Sequence, residues 1–174
     1  MKYILNCLLL ISLFQPINLI ADQERSKLKI AVLYDDEFIL HNTGPNHPEN
    51  PDRLSSVINF LKNDSKLQPN LIWPTFGYAS TEVISLVHSK EYIHLVKQES
   101  EKLIKSTAKL STGDTVISKH SYQVARKSVG AVTEGVDQIM KGKALSGFVF
   151  SRPPGHHATN DRGMGFCIFN NVAI

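Results

Sequence analysis

The apolar positions of the chain fall into short runs that alternate between two periods. Leu28 to Tyr34, LKIAVLY, is apolar and partly β-branched and predicts a first core strand, ended by Asp35 and Asp36. Pro45, Pro48 and Pro51 then forbid regular structure, so His41 to Pro51 reads as an extended loop. Pro51 also suits the first turn of a helix, with Asn50 before it as a cap. Leu54, Val57, Ile58 and Leu61 follow at helical spacing and predict one buried face. Leu71, Ile72 and Trp73, between Pro69 and Pro74, predict a second strand. Ser80-Thr81-Glu82 opens another helix, with Thr81 as cap and Glu82 at the positive end of the dipole. Val83, Leu86 and Val87 share one face of it. After a break near Ser89, Tyr92, Ile93 and Val96 share a face of the next helix. Ser111 to His120 reads as a loop. From Ser121 to Lys141, Ala125, Val129, Val132, Val136 and Ile139 recur every three or four residues, a long helix that Gly142 can end. The apolar run Ala144 to Phe150 then predicts a buried strand, centred on Leu145 to Phe150.

The order strand, helix, strand, helices, strand is an α/β alternation with a mainly parallel sheet covered by helices. No internal repeat or low-complexity linker divides residues 28–174, which read as one domain. Met1 to Ala21 differs in kind. Lys2 gives a positive start, Tyr3 to Phe14 is mostly apolar, and Leu19-Ile20-Ala21 ends in a small residue before Asp22. That is the layout of a secretory signal peptide, which predicts export to the periplasm or the outside. A membrane anchor is the alternative, although the run is short for a span. Removal of the leader takes Cys7 with it and leaves Cys167 alone, so no internal disulfide is expected. The formal charge of +3 on 174 residues is small and dispersed, which argues against specific nucleic-acid binding.

Chemistry concentrates in the last stretch, Ser151 to Ile174. Arg152-Pro153-Pro154-Gly155 ends the third strand, because two prolines fix φ and cannot donate to a ladder. His156 and His157 stand immediately after it. Loops at the carboxyl ends of strands are where open α/β sheets place ligands. Histidine can take and return a proton near neutral pH, and like-charge repulsion favours a pair with one ring neutral and one charged. A surface or metal-site histidine pair is the plainer reading. Cys167 reads as a small buried hydrophobe. Arg53 reads equally as a first-turn residue in a structural ion pair, and Asp114 as the end of a turn. His47 reads as a solvated or hydrogen-bonded loop residue. His88 and His94 lack the spacing that sets two ligands on one helix face, and read as structural. No Gly-x-Ser-x-Gly elbow points to a serine hydrolase.

RPPGHHA followed by MGFCIFNNVAI resembles the active-site segment of the histone deacetylase superfamily, nearest the class II type and its bacterial relatives, the acetylpolyamine amidohydrolases. Gly44 to Arg53, in the pattern GPxHPExPxR, and Gly113-Asp114-Thr115 before the long helix carry the same resemblance. The resemblance implies a three-layer αβα arginase–deacetylase fold, truncated here to about its first three strands. It makes His157 the general base that activates water and then the acid for the amine, and His156 the charged group beside the oxyanion. Gly165 would contact the alkyl chain of the substrate through its backbone, and Phe166 would wall a narrow tunnel. Arg53 would sit near a channel for departing acetate, and Asp114 would touch the substrate at the rim. The implied substrates are an acetylated lysine or an acetylated amine. The implied cofactor is zinc or another divalent metal, held by a motif of the form Asp-x-Asp-x-His-His-Gly-Asn-Gly that the 174 residues do not contain. The second reading is a non-catalytic remnant or interaction fragment of the same fold.

Overall fold

The computed structural model describes residues 29–104 and 106–174. The proposed leader lies outside the described residues. Strand β1 (Ile30–Leu33) is the centre of a three-stranded parallel sheet in the order β2-β1-β5, with β2 at Leu71–Ile72 and β5 at Ser146–Val149. Ile30 pairs with Leu71 on one side and with Ser146 on the other. The helices are α1 (Asp52–Asn63), the single turn α2 (Thr81–Ile84), α3 (Lys90–Lys102) and α4 (Ser121–Met140). The α/β alternation and the parallel sheet are as the sequence predicts, with each strand one to three residues shorter. A β3–β4 ladder, Ala108–Lys109 with Val116–Ile117, breaks the predicted loop at Ser111 to His120, since Val116 and Ile117 pair antiparallel with it.

Helix α4 holds the unit together because it faces two cores at once. Tyr122, Ala125 and Val129 pack with Ile84, Tyr92, Val96, Ile168 and Phe169 in one cluster. Val124 and Ala131 pack with Ala31, Leu33, Phe38 and Leu54 in the other. Each large apolar side chain buried in these clusters contributes about 1.5–3 kcal/mol. A Cβ on Gly135 would sit 3.3 Å from Val149 Cγ2 and 3.4 Å from Leu33 Cδ2, so the helix crosses β1 and β5 at a residue with no side chain.

Several predicted faces are corrected. Ser80, not Thr81, caps α2: its hydroxyl accepts the Val83 N–H at 3.3 Å. Because α2 is only one turn, Leu86 leaves the face of Val83 and is 75% exposed. On α1 only Leu54 and Ile58 are buried, and Val57 lies outside. Asn50 does cap the approach to α1, since its Oδ1 accepts the Asp52 N–H at 3.0 Å. Val136 and Ile139 are exposed on the last turns of α4, and Phe148 on β5 is 58% exposed, so β5 is not the buried strand its composition predicts. The physical reason is position: β5 is an edge of the sheet among the described residues.

Candidate active site

The site is made where the loop after β5 meets the loop before α1. Phe150 N–H donates to Leu33 O at 2.9 Å, the last bond of the β5 ladder, and the chain then turns away through Ser151 and Arg152. Arg152 is fully buried. Its Nε donates to Glu49 Oε1 at 2.6 Å and its Nη2 to Glu49 Oε2 at 2.8 Å, while Nη1 donates to Phe38 O at 3.1 Å. This bidentate pair docks the proline-rich loop on the strand-end loop.

Beyond the prolines, Gly155 lies against the Phe169–Asn171 backbone. A Cβ there would come within 2.4 Å of Phe169 O and 2.6 Å of Asn171 N, so only glycine fits. Asn170 and Asn171 rivet the loop from behind. Asn170 Nδ2 donates to Ala158 O at 3.0 Å, and Asn171 Nδ2 donates to Ser128 Oγ at 2.7 Å. Held this way, His156 and His157 stand exposed with ring centroids 4.2 Å apart. The His157 N–H donates to Cys167 Sγ at 3.4 Å. Cys167 is buried, and burial pushes its thiol above the ordinary value, so it is the small core residue expected and not an activated thiolate.

Gly165 and Phe166 form the facing wall. Both have left-handed backbones, at φ +56° and +69°. The Gly165 N–H donates to Oδ1 of the exposed Asp114 at 2.9 Å, which ties Asp114 to this wall. The Phe166 ring meets the His47 ring edge-on at 4.6 Å, and His47 Nδ1 accepts the Glu49 N–H at 3.1 Å, so His47 is the hydrogen-bonded loop residue expected and also packs in the site. Together Pro48, Glu49, Arg53, Pro154, His156, His157, Gly165 and Phe166 line a cleft of about 360 Å³. Arg53 sits on its rim, half exposed, with Nη1 3.2 Å from Glu49 Oε1. A larger cleft of about 440 Å³ lies between α2, α3 and α4; its Lys90, His94 and Lys97 face solvent beside Glu82, and none of the predicted site residues lines it.

The structure therefore brings His156, His157, Gly165, Phe166 and Arg53 to one cleft, with Asp114 tied to its wall. It adds Glu49 and Arg152, which the sequence offered only as letters of the GPxHPExPxR and RPPGHHA motifs, with no sign of their pairing. It also adds buried His41, whose Nδ1 lies 2.8 Å from Ser121 Oγ and whose Nε2 has no hydrogen-bond partner. Glu49 Oε2 is 3.8 Å away, too far for one. Burial, then the Arg152 guanidinium, push the His41 imidazole down to about 3, so it is neutral. His88 is structural as expected: its Nδ1–H donates to Asn160 O at 3.2 Å and its Nε2 accepts the Asn170 N–H at 2.8 Å. Among the described residues no three His, Cys, Asp or Glu side chains converge to hold a metal ion. These residues alone do not fit the divalent-metal site that the sequence resemblance implies.

A family model described as the histone deacetylase domain matches residues 47–174, the span that contains both loops of the cleft. The chain is 36% identical over 152 residues to "Uncharacterized protein slr0245" of Synechocystis, covering 83% of this chain and 47% of that protein. It is 36% identical over 129 residues to "Polyamine deacetylase HDAC10" of Homo sapiens, covering 72% of this chain and 19% of that one. The crystal structure of the HDA15 HD domain superposes with a TM-score of 0.75 at 29% identity, covering 84% of this chain and 42% of that chain. The chain thus spans less than half the length of each of these proteins. The parallel sheet with its helices is the arginase–deacetylase α/β fold, and the chain belongs to the histone deacetylase family.

Proposed function

We propose that this chain supplies the histidine-loop part of an amidohydrolase site that removes acetyl groups from an acylated lysine or an acylated small amine. The observation that carries the reading is the cleft itself: two adjacent imidazoles face a wall of Gly165 and Phe166. His157 takes the proton of the attacking water and returns it to the leaving amine. His156, beside it, supports the negative charge that develops on the carbonyl oxygen. Gly165 and Phe166 border the extended alkyl chain that carries the acyl group, and Asp114 holds that wall through the Gly165 N–H. The Arg53 guanidinium at the rim suits the carboxylate product, because it stays charged and binds two oxygens. The relative named as a polyamine deacetylase supports the small-amine substrate. The cofactor expectation of zinc or another divalent ion, and export by the leader, belong to the same proposal.

The test is hydrolysis of acetyl-lysine peptide and acetylated polyamine by the native protein isolated from its source cells, with its intact mass and metal content measured in the same preparation. Turnover is expected, and His157→Ala should lower it about 10²- to 10⁴-fold with metal content unchanged. Wild-type turnover in that variant removes His157 as the base. A folded native protein with no turnover on either substrate favours the non-catalytic interaction role.

A further inference from the structure

We propose that Glu49 and Arg152 are positioning residues that set the histidine loop and the rim of the cleft through one buried carboxylate. The inference rests on the functional reading only in treating His156 and His157 as the working groups. Arg152 lies three residues before Gly155, and each intervening proline fixes φ, so the short stiffened link carries the anchoring of Arg152 to the histidine pair. Glu49 acts on the other wall. It follows Pro48 in the cleft lining, and its backbone N–H donates to His47 Nδ1 at 3.1 Å, which orients the ring that packs on Phe166. The same Oε1 that receives Arg152 Nε at 2.6 Å also receives Arg53 Nη1 at 3.2 Å. One carboxylate thus fixes the histidine loop and the rim cation, while the backbone N–H of the same residue orients the aromatic wall.

Energetics favour positioning over stability as the role. Arg152 and Glu49 are 0% and 4% exposed. Desolvating such a pair roughly cancels its attraction, so an apolar pair of similar volume would hold the fold about as well. What an apolar pair lacks is direction: the bidentate fork allows one arrangement of the two loops.

Three variants of the full 174-residue chain test this: Glu49→Gln, Arg152→Lys, and the paired Glu49→Met/Arg152→Met. The readout is the imidazole carbon–proton spectrum, with His88 and His94 as internal controls and circular dichroism for the fold. In folded variants the His156 and His157 signals should move and broaden. The cross-relaxation peaks between the two rings should be lost, while His88 and His94 hold still. Arg152→Lys should behave like Glu49→Gln, since an ammonium cannot replace the fork. Unmoved His156 and His157 signals in any folded variant overturn the proposal. So does a shift shared equally by all four histidines, or failure of all three variants to fold, which would make the pair structural. None of these readouts uses turnover, so a failed deacetylase assay leaves the result standing, and the converse holds too.

Discussion

Gly165 carries two demands at one position. Its φ is +56°, a region that side chains avoid, and a Cβ there would lie 2.8 Å from His157 Cδ2. Alanine would strain the loop and push the imidazole off its line. Under the proposed function Gly165→Ala should therefore lower turnover about 100-fold, as expected for a misplaced base, while thermal unfolding shifts by only about 2–4 °C. Equal turnover with a shifted melting point would sink this account. The place of Gly165 beside the histidine pair was legible in the sequence because its neighbours are close by: His156, His157, Gly165 and Phe166 lie within eleven residues of one motif. Glu49 with Arg152 was not legible. Their contact spans 103 residues, and neither proline-flanked charge declares a partner.

At the scale of elements, α4 shows how a close crossing is built. A Cβ on Gly130 would meet Gly77 O at 2.0 Å and Ala79 N at 3.3 Å, so the helix rests directly on the 77–79 backbone. In an exposed helix Gly→Ala gains about 1 kcal/mol. Here backbone must move, and Gly130→Ala should instead destabilise by about 1–3 kcal/mol in urea unfolding. A higher midpoint with unchanged slope would show that the crossing is looser than described. Gly130 and Gly135 both stand where neighbouring elements come closest to this helix. Val136 and Ile139 did not read correctly, because periodicity reports which side of a helix is apolar and not how far the neighbouring layer extends. The β3–β4 pair was invisible for a related reason. Two-residue strands are too short to show alternation, and Ala108 and Lys109 are both exposed.

For the molecule as a whole, buried neutral histidines set the acid limit of stability. The unfolded chain protonates His41 and His88 near the ordinary 6.5, whereas burial holds both lower in the fold, His41 at about 3. Between those values the unfolded state binds more protons, so stability is full above 6.5 and falls as the pH drops, by up to about 1.4 kcal/mol per pH unit for each ring. Glu37, held below 4.5 by its hydrogen bond to Lys127, adds its own loss only below that value. Urea midpoints should decline steadily from pH 6.5 to 4.5, and His41→Leu should flatten the slope without abolishing it. A flat wild-type profile over that interval would exclude neutral burial of these rings.

The sheet order also dictates a sequence in time. β1 is made first, yet its principal partner, β5, begins at Ser146, and the histidine loop follows β5 directly. Until that strand leaves the ribosome, β1 has only the two residue pairs of β2 to hold it. Until then Glu49 has the half-exposed Arg53 as its partner and lacks the buried Arg152 fork. Long-range parallel pairing of this kind is slow and leaves apolar edges open to wrong partners while it lasts. The two halves of the cleft thus meet late, and a nascent chain stalled before Ser146 carries the 41–51 loop without the Arg152 fork that joins it to the histidines.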